Sequence, residues 1–240
     1  MLVQLGGILS QELLSDQAER ALTQLIIKNG LKTGDLLPSE SDLCVELGIG
    51  RNSLREAVRA LRAIGLLEVR RGSGTYVGEL SLHSLATELI FHSKLNPSDS
   101  TTYLRQLSEV REALEQGLIS NLITEGRMPD IDLLTGLLDQ MDEQAASGHI
   151  DPTTDRQFHE ALLAPLENPV AVLLLRVFWQ AFDELLAPHD DPAAAAKSAD
   201  RHHAILLAIK ASDARGARVA VRAHFEGLRN RLGMAEQVHD

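Results

Sequence analysis

The apolar positions of this chain fall into two regimes. Over residues 9–29 (LSQELLSDQAERALTQLIIKN) they recur every three to four residues, the spacing of one helix face, and the pattern stops at Gly30. Gly34 and Pro38 then punctuate a loop. Ser39 with Asp42 three residues on is a helix-start signature, because a serine oxygen can accept from a first-turn N–H. The short apolar helix that follows ends at Gly48. A third helix runs from after Gly50 to near Gly65, and beyond it LLEVR, the turn RGSG and TYVG read as a two-stranded hairpin. Three helices and a hairpin in that order predict a winged helix-turn-helix over residues 1–78.

After Gly78 the pattern changes. Residues 79–98 are mixed, are broken by Asn96-Pro97, and read as a linker with room for one short helix. From 99 to 232 nearly every stretch keeps the helical period, as in Leu104, Leu107, Val110, Leu114 and Leu118. Breaks near Gly126, 148–152, Asn168-Pro169, 188–192 and Ser212-Asp213 divide it into about six helices, with no strand-like alternation and no internal repeat. The expected fold is mainly α: a winged helix-turn-helix, then an all-α antiparallel bundle over 99–240.

Composition narrows the picture. The chain has 240 residues, enough for one large domain or two small ones, and is 44% hydrophobic. Aromatics make up only 3%, so the core is expected to be aliphatic. The lone cysteine, Cys44, excludes a disulfide framework and fits a reducing cytoplasm. There is no run of about 18 apolar residues to span a membrane, and the acidic N-terminal stretch does not resemble a signal peptide.

The net charge of −11 speaks against nucleic acid until it is divided along the chain. Residues 1–78 hold 9 basic and 9 acidic residues, so the remainder carries all of the excess. Residues 48–72 contain six arginines against Glu56 and Glu68. On a wheel of the third helix, Arg51, Arg55, Arg59 and Arg62 share an arc of about 80°. Leu54, Ala57, Val58, Leu61 and Ile64 form the apolar face beside it. Arginine matches guanine O6 and N7 in the major groove with two parallel hydrogen bonds, and also suits phosphates. A solvated basic face is the plainer alternative. The hairpin weighs against it, because Arg70 and Arg71 precede a slim Gly72-Ser73-Gly74 tip that can approach a groove or phosphates. Gly48-Ile49-Gly50 and Gly72-Ser73-Gly74 lack the remaining residues of a dinucleotide or phosphate loop.

These residues resemble a family. Pro38-Ser39-Glu40, Arg51, Leu54-Arg55-Glu56-Ala57, Gly65-Leu66 and Gly72-Ser73-Gly74-Thr75-Tyr76-Val77 match the N-terminal domain of GntR-type bacterial transcription regulators over residues 9–78. The resemblance implies double-stranded DNA as partner. It assigns base reading to Arg51 and Arg55 and backbone or wing contacts to Asn52 and Gly72, with Arg59 and Arg71 completing the basic surface. Ser41 stands where the FadR member has an arginine, so operator preference is expected to differ in detail.

The second half offers a ligand set. Asp155 and His159 are four apart on an expected helix and share one face. His202 and His224 are equidistant from residue 213, where a helical hairpin should turn, so they stand level on facing helices. His203 lies about 100° round the helix and faces elsewhere. Facing helices of a bundle can converge one Asp and three His on a metal, and an N3O set suits Zn, Ni, Mn or Fe. For any single histidine, a surface or core role with ordinary partners is the commoner outcome.

Here too there is a resemblance, to the FCD domain of the FadR subfamily. It rests on Val110-Arg111-x-x-Leu114-Glu115, Asp155-x-x-Phe158-His159, Asn168-Pro169, His202-x-x-Ile205-Leu206 and Arg222-Ala223-His224. The resemblance implies that Asp155, His159, His202 and His224 hold a divalent metal in an effector cavity, and that Arg111 faces that cavity. Arg201 stands where an acid commonly precedes the first hairpin histidine. Four protein ligands on an octahedral ion leave two positions for a small organic acid, a sugar acid or hydroxy acid, with Arg111 on its carboxylate. A surface ion pair of Arg111 with Glu115 is the alternative role.

The expectation is therefore a regulator and not an enzyme. It is expected to bind a short inverted repeat as a homodimer, with the apolar helices of 99–232 favoured for the main interface and the linker transmitting movement; the resemblance implies a repressor released by its effector as the commonest sense, with activation as the alternative. A metal-sensing regulator is the alternative. A metalloenzyme is less favoured, because no general base or nucleophile is identifiable beside the ligand set.

Overall fold

The protein, described from a computed structural model for residues 3–95, 100–186 and 191–233, divides into two units, Met1–Ser81 and Leu82–Asp240. In the first, α1 (Val3–Lys28) begins earlier than the periodicity from residue 9 suggests. Helix α2 (Glu40–Leu47) starts where Ser39 Oγ accepts from the Asp42 N–H at 3.3 Å and donates to the Asp42 carboxylate at 2.6 Å. It ends at Gly48, whose φ of +65° lies in the left-handed region that glycine enters without strain. Helix α3 (Arg51–Ala63) follows, then β1 (Leu67–Arg70) pairs antiparallel with β2 (Gly74–Val77), Leu67 opposite Val77.

The apolar face of α3 is inward at Leu54, Ala57 and Leu61, and the two leucines pack with Leu22, Leu25, Leu43 and Leu67. Each such leucine contributes about 1.5–3 kcal/mol on burial. Ile64 departs from the expected face: it is 57% exposed, because α3 ends at Ala63 and the 3.6-residue period ends with it. The 34–37 loop is also more than a connection. The Leu37 N–H donates to Thr75 O at 2.8 Å and the Val77 N–H to Asp35 O at 2.9 Å, so the loop lies along β2. At Gly78 a Cβ would sit 2.1 Å from Gly65 O, so only glycine closes the base of the hairpin.

The second unit is helical: α4 (His83–Leu95), α5 (Ser100–Thr124), α6 (Ile131–Ala146), α7 (Pro152–Leu163), α8 (Pro169–Leu185), α9 (Pro192–Lys210) and α10 (Ala214–Arg231). Helices α7, α8 and α9 each open on an Asx-Pro pair. The Asp151, Asn168 or Asp191 side chain accepts first-turn N–H groups, and proline takes the next place, where no N–H is needed. Prolines that look like breakers are thus helix starts. The expected breaks at Asn96-Pro97 and 188–190 lie outside the described residues.

The stretch read as a linker holds α4, which packs on α8 and α5 and buries Ala86 and Ser93. Its Leu89 and Ile90 join the bundle core, and the boundary between units falls at 81/82. Helix α10 packs on α9 and α5, and α6 on α7 and α9. The core is mostly aliphatic, but Phe158, Phe178, Phe182, Phe225 and Trp179 are all buried in this unit. The few aromatics are concentrated there. Among the described residues no helix is long and apolar enough to cross a membrane.

Candidate functional site

Helix α7 carries Asp155 and His159 one turn apart, α9 carries His202, and α10 carries His224. The α9–α10 turn includes Ser212 at φ +52°. One ligand atom from each of the four residues lies within 4.8 Å of the other three. His159 and His202 are fully buried, and the ring centroids of His202 and His224 are 4.4 Å apart. His202 Nε2 stands 2.9 Å from Asp155 Oδ1 without hydrogen-bond alignment. Two atoms bound side by side on one ion at about 2.1 Å would be about 3 Å apart, so the spacing suits a shared ion.

The outer partners are in place as well. His202 Nδ1 lies 2.8 Å from Ser198 O, so its N–H is donated there and Nε2 is left facing Asp155. His159 Nδ1 is 2.9 Å from Glu115 Oε2, at hydrogen-bond distance though out of line, with Nε2 turned to the cluster. His159 Nε2, His202 Nε2 and His224 Nδ1 are buried and have no hydrogen-bond partner. Orphaned ring nitrogens around an ionised carboxylate are what a bound dication would satisfy, so the donor set fits the metal.

The electrostatics suit Asp155 and His224 as ligands, whereas His159 must give up a proton to bind an ion. Burial opposes ionisation of Asp155, but contact with His202 and the charges of the three histidines hold its pKa well below the usual carboxylate range. Burial, then repulsion from His202 and His159, pushes His224 well below its ordinary value, which keeps its lone pair available. Burial disfavours charged His159, yet Glu115 more than offsets it and raises the pKa. Glu115 itself is lowered to about 2: burial raises it, and His159 and Arg111 outweigh that.

Asp155 and His224 also line a cavity of about 940 Å³ within the second unit, together with Arg111, Trp179, Phe182 and Arg201. The two roles weighed for Arg111 turn out to be compatible. Its Nε donates to Glu115 Oε1 at 2.6 Å, in the interior and not on the surface. Its Nη2 is buried, 3.9 Å from Asp155 Oδ2, with no hydrogen-bond partner. Arg201 reaches toward Glu226 at 3.4 Å, and His203 turns away to Asp142 of α6 at 3.0 Å.

On the first unit Arg51, Asn52, Arg55, Arg59, Arg71 and Gly72 are all exposed. The Arg55 guanidinium is held by Glu40, with Nη2 3.1 Å from Oε2. Arg59 pairs with Glu56. Arg70 pairs with Glu68 and stacks on Tyr76, 4.3 Å from the ring centroid, so it stiffens the hairpin. Among the described residues no ion pair engages Arg51, Arg62 or Arg71. Glu40 and Glu115 were not singled out as site residues from the sequence. Glu40 belongs to the Pro-Ser-Glu motif, and Glu115 follows Arg111 at i,i+4, but neither spacing reveals the long-range partner.

Comparison with known proteins follows the same division. Residues 14–77 match the family described as "Bacterial regulatory proteins, gntR family", and residues 106–227 match the FCD domain. The HTH-type transcriptional regulator LutR of Bacillus subtilis is 30% identical over 86% of this chain and 96% of its own length. The Uxu operon transcriptional regulator of Escherichia coli is 30% identical over 91% and 86%. The solved structure of Streptococcus agalactiae GntR superposes with a TM-score of 0.67 at 30% identity, covering 90% of this chain and 99% of that one. The chain therefore belongs to the GntR family of bacterial transcription regulators, in the branch that carries a C-terminal FCD domain.

Proposed function

We propose that this regulator is a repressor that binds a short inverted-repeat operator as a homodimer, and that a small hydroxy acid or sugar acid entering the cavity of the second unit releases it. Asp155, His159, His202 and His224 hold a divalent ion, Zn, Ni, Mn or Fe. When bound, the ion supplies Lewis acidity to the carboxylate and hydroxyl oxygens of the acid. Arg111 receives the acid's charge through Nη2 while Glu115 fixes the guanidinium through Nε. Trp179 and Phe182 shield that contact from water. Arg51 and Arg55 read base edges, and Asn52, Arg59, Arg71 and Gly72 meet the DNA backbone. The observation that carries the reading is the buried Arg111 Nη2, without a hydrogen-bond partner, on a residue that lines the same cavity as Asp155 and His224. An unmet donor on a fixed cation calls for an oxygen acceptor, and a carboxylate is the strongest one for a guanidinium.

The test is thermal melting of metal-loaded and chelator-stripped protein with hydroxy acids, sugar acids and dicarboxylates. A binder of the folded state raises the melting temperature by mass action. The expected result is a rise for an oxygen-rich acid with metal only. A stripped protein that responds equally would remove the ion from the acid's binding. Operator release by metal alone would make the ion itself the signal.

A further inference from the structure

One residue of the cavity lining carries a buried donor that packing does not require. Trp179 is the single tryptophan of the chain, lies on α8, and is 4% exposed. It lines the cavity with Arg111 and Phe182. Its indole Nε1–H is buried and has no acceptor in the protein. A buried tryptophan N–H usually finds a partner, and an unmade hydrogen bond there is costly. Packing does not ask for that N–H, since Phe178 and Phe182 fill neighbouring space on the same helix without one. The ring is also close to the charged groups. Its centroid is 6.4 Å from that of His159, and the Arg111 guanidinium carbon is 5.6 Å from it.

Two residues that line one cavity thus each carry a buried donor without an acceptor, Arg111 Nη2 and Trp179 Nε1. Neither group can accept a hydrogen bond, so each needs an oxygen or nitrogen lone pair, which an acid in the cavity can supply. We propose that Trp179 Nε1–H is a specificity-determining donor to the effector. Arg111 takes the carboxylate charge and Trp179 a further oxygen, which restricts the cavity to oxygen-rich acids (2-hydroxy or polyhydroxy carboxylates) over simple alkanoates. This rests on the cavity being an acid site. It adds that a second oxygen of the acid is read by a neutral donor, so an alkanoate with a single carboxylate satisfies the pair less well.

The experiment uses the full-length, metal-loaded protein with L-lactate, L-tartrate, D-gluconate and citrate as probes and propionate as the alkanoate control. Calorimetry gives each affinity. In parallel, 15N-labelled protein reports Trp179 directly, because a single tryptophan yields a single indole Nε1–H resonance. At least one oxygen-rich probe is expected to bind more tightly than propionate. It should move that resonance downfield and saturate it at the calorimetric affinity. Trp179→Phe, which keeps an aromatic ring and lacks the N–H, should bind the same probe about ten- to a hundredfold more weakly, with its metal content unchanged. An indole resonance that stays in place at saturation overturns the proposal and leaves the acid site standing. So does a Trp179→Phe variant that binds within twofold of wild type. Failure of every probe to bind wild-type protein overturns the acid reading and this inference together. The resonance requires no substitution, so the test survives a variant that fails to fold.

Discussion

Replacing Glu115 with glutamine in the chelator-stripped protein isolates the charge at the centre of the buried network. Glutamine keeps the shape of the side chain, so packing is conserved. Glu115 is fully buried and faces two cationic partners, Arg111 Nε at 2.6 Å and His159 Nδ1 at 2.9 Å. Without it, Arg111 keeps only Asp155 at 3.9 Å, and its side chain is 7% exposed. Removing one partner of a buried pair costs about 3–5 kcal/mol, because the other charge stays behind uncompensated. Linkage offers a second route. The carboxyl falls from 4.5 to about 2 on folding, which at about 1.4 kcal/mol per unit is about 3 kcal/mol. The two routes meet near 3 kcal/mol at neutral pH. For a unit of about 150 residues that is a melting-temperature loss of about 6–12 °C.

The pH dependence carries a sign. The Glu115 pKa is depressed in the folded state, so its contribution is full above the unfolded value of 4.5 and fades as pH falls toward 2. The gap between wild type and variant should shrink to about 1.5 kcal/mol at pH 3. Urea unfolding followed by Trp179 fluorescence reads the second unit, where the single tryptophan resides. Glu109→Gln serves as the control. Glu109 pairs with Arg105 on the surface of the same unit, where salt and solvent screen the interaction, and no measurable loss is expected. A loss below about 1 kcal/mol for Glu115→Gln at pH 7 would refute the network as described. A gap undiminished at pH 3 would refute the assignment of its energy to Glu115 ionisation.

Three further outcomes follow from the two sites. Arg55→Ala should lower operator affinity about ten- to a hundredfold with the fold intact, and undiminished binding in a gel shift would remove Arg55 from the recognition surface. His202→Ala combined with His224→Ala should reduce bound metal to background by elemental analysis, and full occupancy would refute the ligand set. Arg111→Ala should weaken the response to acid while Asp155, His159, His202 and His224 still retain metal, and an unchanged response would confine Arg111 to its ion pair with Glu115.

What the sequence made legible was whatever repeats locally. Asp155 and His159 are one turn apart, and His202 and His224 are placed by counting outward from a hairpin turn, so helix geometry makes each pair legible, while only the resemblance to the FCD domain joined the two pairs into one set. The arginine strip of α3 is legible for the same reason, as a wheel of one helix. The misreadings sit where a local period meets an end or a tertiary partner. Ile64 continues the apolar pattern, but the helix stops one residue earlier, so its side chain is exposed. Residues 83–95 look mixed because only one side of α4 meets α8 and α5, and a half-buried helix at a bundle's margin carries a weak period.

The residues that sequence reasoning passed over share a physical cause. Glu115 meets His159 across 44 positions and Glu40 meets Arg55 across 15, and no helical or strand period links such pairs. Glu115 in isolation is one more acid in a chain with 34 of them, and its role exists only because α5 packs against α7 and removes it from water. Trp179 is similar. In the sequence it is an apolar residue in an apolar helix, VLLLRVFWQAF, and packing accounts for its presence. Only the fold separates its ring, which packs, from its N–H, which is left without an acceptor beside the Arg111 guanidinium. Ligand sets built on one turn or one hairpin are thus readable in advance. The donors and counter-charges that tune them arise from helix packing, and each requires the buried atom and its missing partner to be seen together.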